Sequence, residues 1–173
     1  MTGQSHLFGG TLIGVSYMIS TNFTMDIPFT IGSLIGSIFP DIDEGTSKIS
    51  NKVPLFSFVT RLFVGHRGII HTPVFLIILS IIIQSICTVL HIPEHFIFGF
   101  VLGFLCHLFQ DTMTRRGIKW LYPVVNKSFH IMSLRSGRGL FYGLIEMLLT
   151  ILIVGILMFP IISLGGIITW IRN

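Results

Sequence analysis

Charged side chains are scarce in this chain. Asp, Glu, Lys and Arg make up 10% of the 173 residues, whereas a soluble domain carries about 25%. So little charge leaves too little polar surface to cover the chain in water, which excludes an ordinary soluble globule. Cysteine is nearly absent as well: Cys87 and Cys106 both fall inside apolar runs. They imply no disulfide framework and read as small buried hydrophobes. No Lys or Arg precedes the first apolar stretch and no small-residue cleavage pattern follows it. That stretch is therefore expected to stay in the mature protein rather than leave as a signal peptide. With no internal repeat and no low-complexity segment, a single domain over 1–173 is expected.

Apolar residues are what the chain has in excess. They make up 51% of it and mean hydropathy is +0.86, the composition of an integral membrane protein. A net charge of +4 would suggest a nucleic-acid partner in a soluble protein. Here ten of the 11 basic residues lie in two loops, 41–67 and 114–139, so no nucleic-acid partner is expected. Under the positive-inside rule both loops face the cytoplasm, and the Lys- and Arg-free turn 91–94 faces out.

Three runs are long enough to span: 68–90, 95–113 and 140–160. The first has 23 residues, about 34 Å as a helix. Two shorter, Gly-interrupted runs, 6–20 and 27–39, read as tilted spans, half-helices or a tight hairpin. The piece 161–171 follows a break at Pro160 and reads as a half-span or interfacial helix. The expected fold is all-α: a polytopic helical membrane protein of about five transmembrane or half-spanning helices.

On that topology the ionisable residues collect at one end. His6 opens the first run, and Asp41 and Asp43 close the second. His66 and His71 open the third, His107 and Asp111 close the fourth, and Glu146 sits one to two turns into the fifth. Burying such groups in a membrane is costly without a partner, so their convergence points to one shared site. His107 and Asp111 stand at i and i+4, on one helical face, where both can grip one cation. Asp41 and Asp43 are two apart after the helix-breaking Pro40, placed to bridge metals or simply to end a helix. His66 and His71 are five apart, roughly 140° out of phase on a straight helix. They converge only if Gly68 marks a turn, with His71 in the first turn of the helix.

Arg67 reads either as an interface anchor that snorkels to the headgroups or as a planar fork that clamps a phosphate. Arg135 and Arg138, in LRSGRG, are further candidates for phosphate contact, although a basic surface loop attracts anionic lipid in any case. His91, Glu94 and His95 fall at the opposite end and read as a solvated turn.

The stretches TGQSH, PDIDEGTS, GHRGIIHTP, GFVLGFLCHLFQDTMTRRGIKWLYP and RSGRGLFYGLIE occur in that order over residues 1 to about 150. In this order they resemble the YdjM-like family, bacterial inner-membrane proteins described as membrane-bound metal-dependent hydrolases. The resemblance implies that His6, Asp41, Asp43, His66, His71, His107, Asp111 and Glu146 are the family's polar signature. It departs at Glu44, which follows PDID where the family often has His. More remotely, the set resembles the helical zinc-dependent phospholipase C and P1-type nuclease group.

These readings lead to a membrane-embedded hydrolase of phosphoesters, whose substrate is a membrane phospholipid or other lipid phosphoester. Those eight residues would ligate two or three divalent metals. Zinc fits the imidazole and carboxylate mix, with manganese and magnesium as the other candidates. Asp43 or Glu146 would act as base or orient a ligand, and Arg67 and Arg135 would hold the phosphate. Two alternatives come from other classes. A metal-ion transporter needs polar residues through the membrane, yet 74–90 and 147–160 carry no His and no charged residue. A non-enzymatic scaffold would use metal only to staple short helices together.

Overall fold

The structure, a computed structural model, describes residues 1–21, 24–41, 69–132 and 140–172, with side chains of 141–163 in the last of these segments. Among the described residues there are five α-helices: α1 (Gly3–Ser20), α2 (Ile27–Ile38), α3 (Pro73–Val89), α4 (His95–Thr112) and α5 (Leu140–Arg172). Among the described residues the only β pairing is an isolated antiparallel bridge between Ile118 and Phe129. Among the described residues two segments are long and apolar enough to cross a membrane, α4 and Phe141–Ser163 of α5, and α3 is a shorter apolar helix. The fold is that of a helical membrane protein.

Local chemistry sets the helix starts. Thr2 caps α1 by accepting the Ser5 N–H at 3.3 Å, and Asp26 caps α2 through the Phe29 N–H at 2.9 Å. Each satisfies an orphan donor of the first turn. After α2, one 3-10 turn, Phe39–Asp41, carries Pro40. Thr72 caps α3 through the Phe75 N–H at 3.2 Å, with Pro73 in the first turn.

Two expectations change here. The third run is not yet helical over residues 69–72. The Thr72–Pro73 pair starts the helix, because proline is preset for the first helical position and loses nothing there. His71 therefore lies in the turn ahead of α3 rather than in its first turn. Nor does Pro160 break the last helix, which runs 33 residues through it. Proline removes only one backbone bond, and in apolar surroundings every alternative to helix leaves more polar groups unsatisfied. At about 1.5 Å per residue α5 is roughly 50 Å long, so it outruns a hydrocarbon core of ~30 Å.

The bundle is organised by the parallel pair α2 and α4, whose backbones touch. A Cβ on Gly32 or Gly36 would stand 2.1 Å from the carbonyl oxygen of Phe96 or Phe100; on Gly99 or Gly103 it would meet that of Phe29 or Ser33, also at 2.1 Å. Only glycine permits this approach. The helix α1 packs antiparallel on α2, where Gly10 faces Ser33 and Ser37 and Gly14 faces Thr30. Phe29, Phe100, Phe104 and Leu108 fill the spaces around the pair. Because α2 and α4 are parallel and in register, their C-terminal ends finish together, beside the N-terminus of α1 and the turn before α3.

Candidate metal centre

Four side chains meet at that common end. One ligand atom each from His6, Asp41, His107 and Asp111 lies within 4.8 Å of all the others. His6 comes from the first turn of α1, Asp41 from the 3-10 turn, and His107 and Asp111 from the last turns of α4. Both rings are fully buried and stack with centroids 3.8 Å apart.

The far nitrogen of each ring is held. His107 Nδ1 donates to the Ser37 carbonyl at 2.8 Å, and His6 Nδ1 donates to Gln110 Oε1 at 2.7 Å. Gln110 has no choice of orientation. Its Nε2 donates to the Ser5 carbonyl at 2.9 Å and to Thr150 Oγ1 at 2.8 Å, while Thr150 spends its own proton on the Glu146 carbonyl. With both Nδ1 atoms protonated, each neutral ring turns the lone pair of Nε2 into the cluster. Those two Nε2 atoms are buried and have no hydrogen-bond partner.

The spacings are those of atoms around a cation. His6 Nε2 lies 3.4 Å from Asp111 Oδ1 and 3.7 Å from Asp41 Oδ2; His107 Nε2 lies 3.5 Å from Asp111 Oδ2 and 3.7 Å from Asp41 Oδ1. These are too long for N–H···O bonds. They are close to the edge of a tetrahedron with bonds of about 2.0–2.1 Å, roughly 3.4 Å. Lone pairs facing carboxylates across such a gap repel unless a positive charge lies between them. The donor set and the two orphaned nitrogens therefore fit a divalent cation.

Around this group stand further polar residues. His71 Nε2 is 3.7 Å from Asp41 Oδ1 and 3.9 Å from Asp111 Oδ2, at the rim of the cluster. The amine of Met1 donates to Asp111 Oδ1 at 2.6 Å. The ends of α2 and α4 add the negative pole of two helix dipoles.

Glu146 is buried but stands outside the four-residue group. Its Oε2 accepts from Thr2 N at 3.3 Å, from Thr2 Oγ1 at 3.0 Å and from Ser5 Oγ. It ties α5 to the first turn of α1, one residue before His6. Asp43, His66, Arg67, Arg135 and Arg138 lie outside the described residues. His95 pairs with Asp26 at the opposite end of the bundle, and His91 has a left-handed φ of 54° in the turn there. The roles of Gln110 and Ser37 in holding the rings were not anticipated. For Gln110 there was a signal, a lone amide in the apolar run between His107 and Asp111.

A family model described as "YdjM inner membrane protein" matches residues 1–171. The chain belongs to this family. YvsG of Bacillus subtilis (strain 168) is 33% identical over 124 residues, 71% of this chain and 74% of that protein. Inner membrane protein YdjM of Escherichia coli (strain K12) is 28% identical over 97 residues, 53% of this chain and 47% of that protein, as is its Shigella flexneri namesake. The match thus spans about half the length of those two YdjM proteins. No solved structure matches, so the remoter likeness to the phospholipase C and P1-type nuclease group gains no support.

Proposed function

We propose that this YdjM-family chain is a single-domain, multi-pass metal-dependent hydrolase of the bacterial inner membrane, acting on phosphoesters of membrane lipids. One observation carries the reading: the buried, partnerless Nε2 atoms of His6 and His107 face two carboxylates at the end of an apolar bundle. A purely structural cluster would satisfy those nitrogens.

His6, Asp41, His107 and Asp111 would hold the cation, zinc by the chemistry of the donors. Further ions would draw on His71, Asp43 and His66. A divalent cation there supplies a Lewis acid for a phosphoryl oxygen and lowers the pKa of water. The chain does the rest. Gln110 and the Ser37 carbonyl keep the rings in one tautomer, the two aspartates supply compensating charge, and Glu146 fixes the turn that carries His6. Glu146 is thus a positioning residue, which leaves the base role to Asp43. The basic loops, cytoplasmic by the positive-inside rule, would draw an anionic substrate toward this end. Arg67 and Arg135 are the candidates for contact with its phosphate.

Elemental analysis of protein purified in mild detergent tests this, together with release of phosphate or a headgroup from mixed lipid micelles. The expected result is at least one equivalent of metal and turnover, with both lost in His107→Ala and Asp111→Ala. Protein free of stoichiometric metal, or variants with undiminished turnover, would sink the proposal.

A further inference from the structure

We infer that the segment 115–132 is a membrane-surface element that seats the site end of the bundle against anionic phospholipid. Its partner is the lipid surface itself, whatever reaction the site performs. The juxtaposition that carries this is a rigidly pinned loop with an apolar tip and cationic flanks, lying beyond the end of a membrane-spanning helix.

The pinning is explicit. Ile118 is buried against the core side of α4 and exchanges backbone hydrogen bonds with Phe129 at 2.9 and 2.8 Å. Trp120 Nε1 donates to Thr112 Oγ1 at 2.9 Å, and its ring lies 5.0 Å from that of Phe109. The Ile131 N–H closes the loop onto the Thr112 carbonyl at 3.0 Å. The Trp120 and Ile131 anchors reach the last turns of α4, which carry His107 and Asp111.

What the loop presents outward is not what a water-facing loop presents. Val124 is 90% exposed, Ile131 70% and Leu121 55%. Apolar exposure along α3 and α5 is ordinary for helices in lipid, but this loop starts after α4 has ended. Arg115, Lys119 and Lys127 flank the tip, and no Asp or Glu occurs between Asp111 and Glu146. Lys119 Nζ stands 5.9 Å over the ring of Tyr122. Aromatic, aliphatic and cationic side chains without acids are the composition of an interfacial segment: apolar groups enter the acyl boundary, Trp and Tyr sit at headgroup depth, and cations meet lipid phosphates. The charge selects an anionic bilayer over a second copy of the chain, whose matching surface would carry the same positive sign.

The test places a nitroxide on Val124→Cys in nanodiscs of phosphatidylcholine, with and without one-third phosphatidylglycerol. Cys87 and Cys106 are buried, and unmutated protein gives the labelling background. The expected result is a label relaxed more by oxygen than by an aqueous nickel complex, more strongly so with the anionic lipid. Neutralising Arg115, Lys119 and Lys127 to Gln should remove that preference, by up to about fivefold per cation. As a check independent of labelling, brominated phosphatidylglycerol should quench Trp120 in Trp170→Phe protein. A label equally open to the nickel complex in both bilayers would overturn the inference, as would absent quenching. Shielding that persists in detergent and tracks dimer formation would assign the surface to a second copy and overturn it too.

Discussion

A metal-binding imidazole works only if its other nitrogen is fixed, and Gln110 does that for His6. Neither nitrogen of a free imidazole is preferred strongly enough to guarantee that Nε2 faces the cluster. The amide removes the ambiguity because its own donors are already committed to Ser5 and Thr150, leaving only Oε1 for Nδ1–H. Replacing Gln110 by Met keeps the volume and removes the acceptor. Competition titration with a zinc chelator should show affinity reduced about 10–100-fold, with the His6 Nδ1–H signal lost from nitrogen-15 spectra. Unchanged affinity in a folded variant would mean that the contact is incidental. At this scale the convergence of His6, Asp41, His107 and Asp111 was legible, because each stands at a helix end and two share an i,i+4 face. The roles of Gln110 and the Ser37 carbonyl were not. A lone glutamine in an apolar run gives no direction, and a backbone carbonyl is invisible to side-chain patterns. Glu146 was expected among the ligands, but it stands outside the four-residue group, and its engagement by Thr2 and Ser5 depends on how α5 leans on α1.

At the scale of elements, the register of α2 against α4 decides whether Asp41 reaches the α4 residues at all. Both helices carry a Gly-x-x-x-Gly spacing, Gly32 with Gly36 and Gly99 with Gly103. The spacing marks a close-packing face but not its partner, so the pairing became visible only in three dimensions. Methyl groups placed 2.1 Å from backbone oxygens cannot be absorbed by a side-chain rotation; the helices must separate. Gly36→Ala and Gly103→Ala are each expected to destabilise the protein by about 1–3 kcal/mol and to weaken metal binding with it. Gly155→Ala has nothing within 4 Å of the added group and should leave both unchanged. Thermal unfolding in detergent with bound-metal analysis separates the cases, and indifference of Gly36→Ala would contradict the packing. The start of α3 carries a similar lesson. Hydropathy extends the run back to residue 68, while Thr72 and Pro73 place the boundary, because capping chemistry outranks apolar content at a helix end.

For the whole molecule, the cluster joins parts distant in sequence, while the pair α2 and α4 is held by its own close packing. These two kinds of cohesion respond differently to removal of a cation. A ligand that binds only the folded state stabilises it by RT ln(1 + [L]/Kd), about 2.7 kcal/mol at a hundredfold excess over Kd. That free energy acts where the ligands are. Chelation should therefore raise amide exchange in the first turns of α1, in the Phe39–Asp41 turn and in the turn 69–72 before α3. The middles of α2 and α4, around Gly36 and Gly103, should stay protected, since Phe29, Phe100 and Phe104 pack there without metal. Exchange measured by mass spectrometry with and without chelator, followed by zinc add-back, reads this directly. Local loosening that zinc reverses, alongside turnover that returns with it, is the pattern of a catalytic ion in a preformed bundle. Unfolding of the entire chain on chelation, with no turnover in the metal-loaded form, would instead make the cation a structural staple. Exchange identical in both states would mean that the four side chains hold no ion.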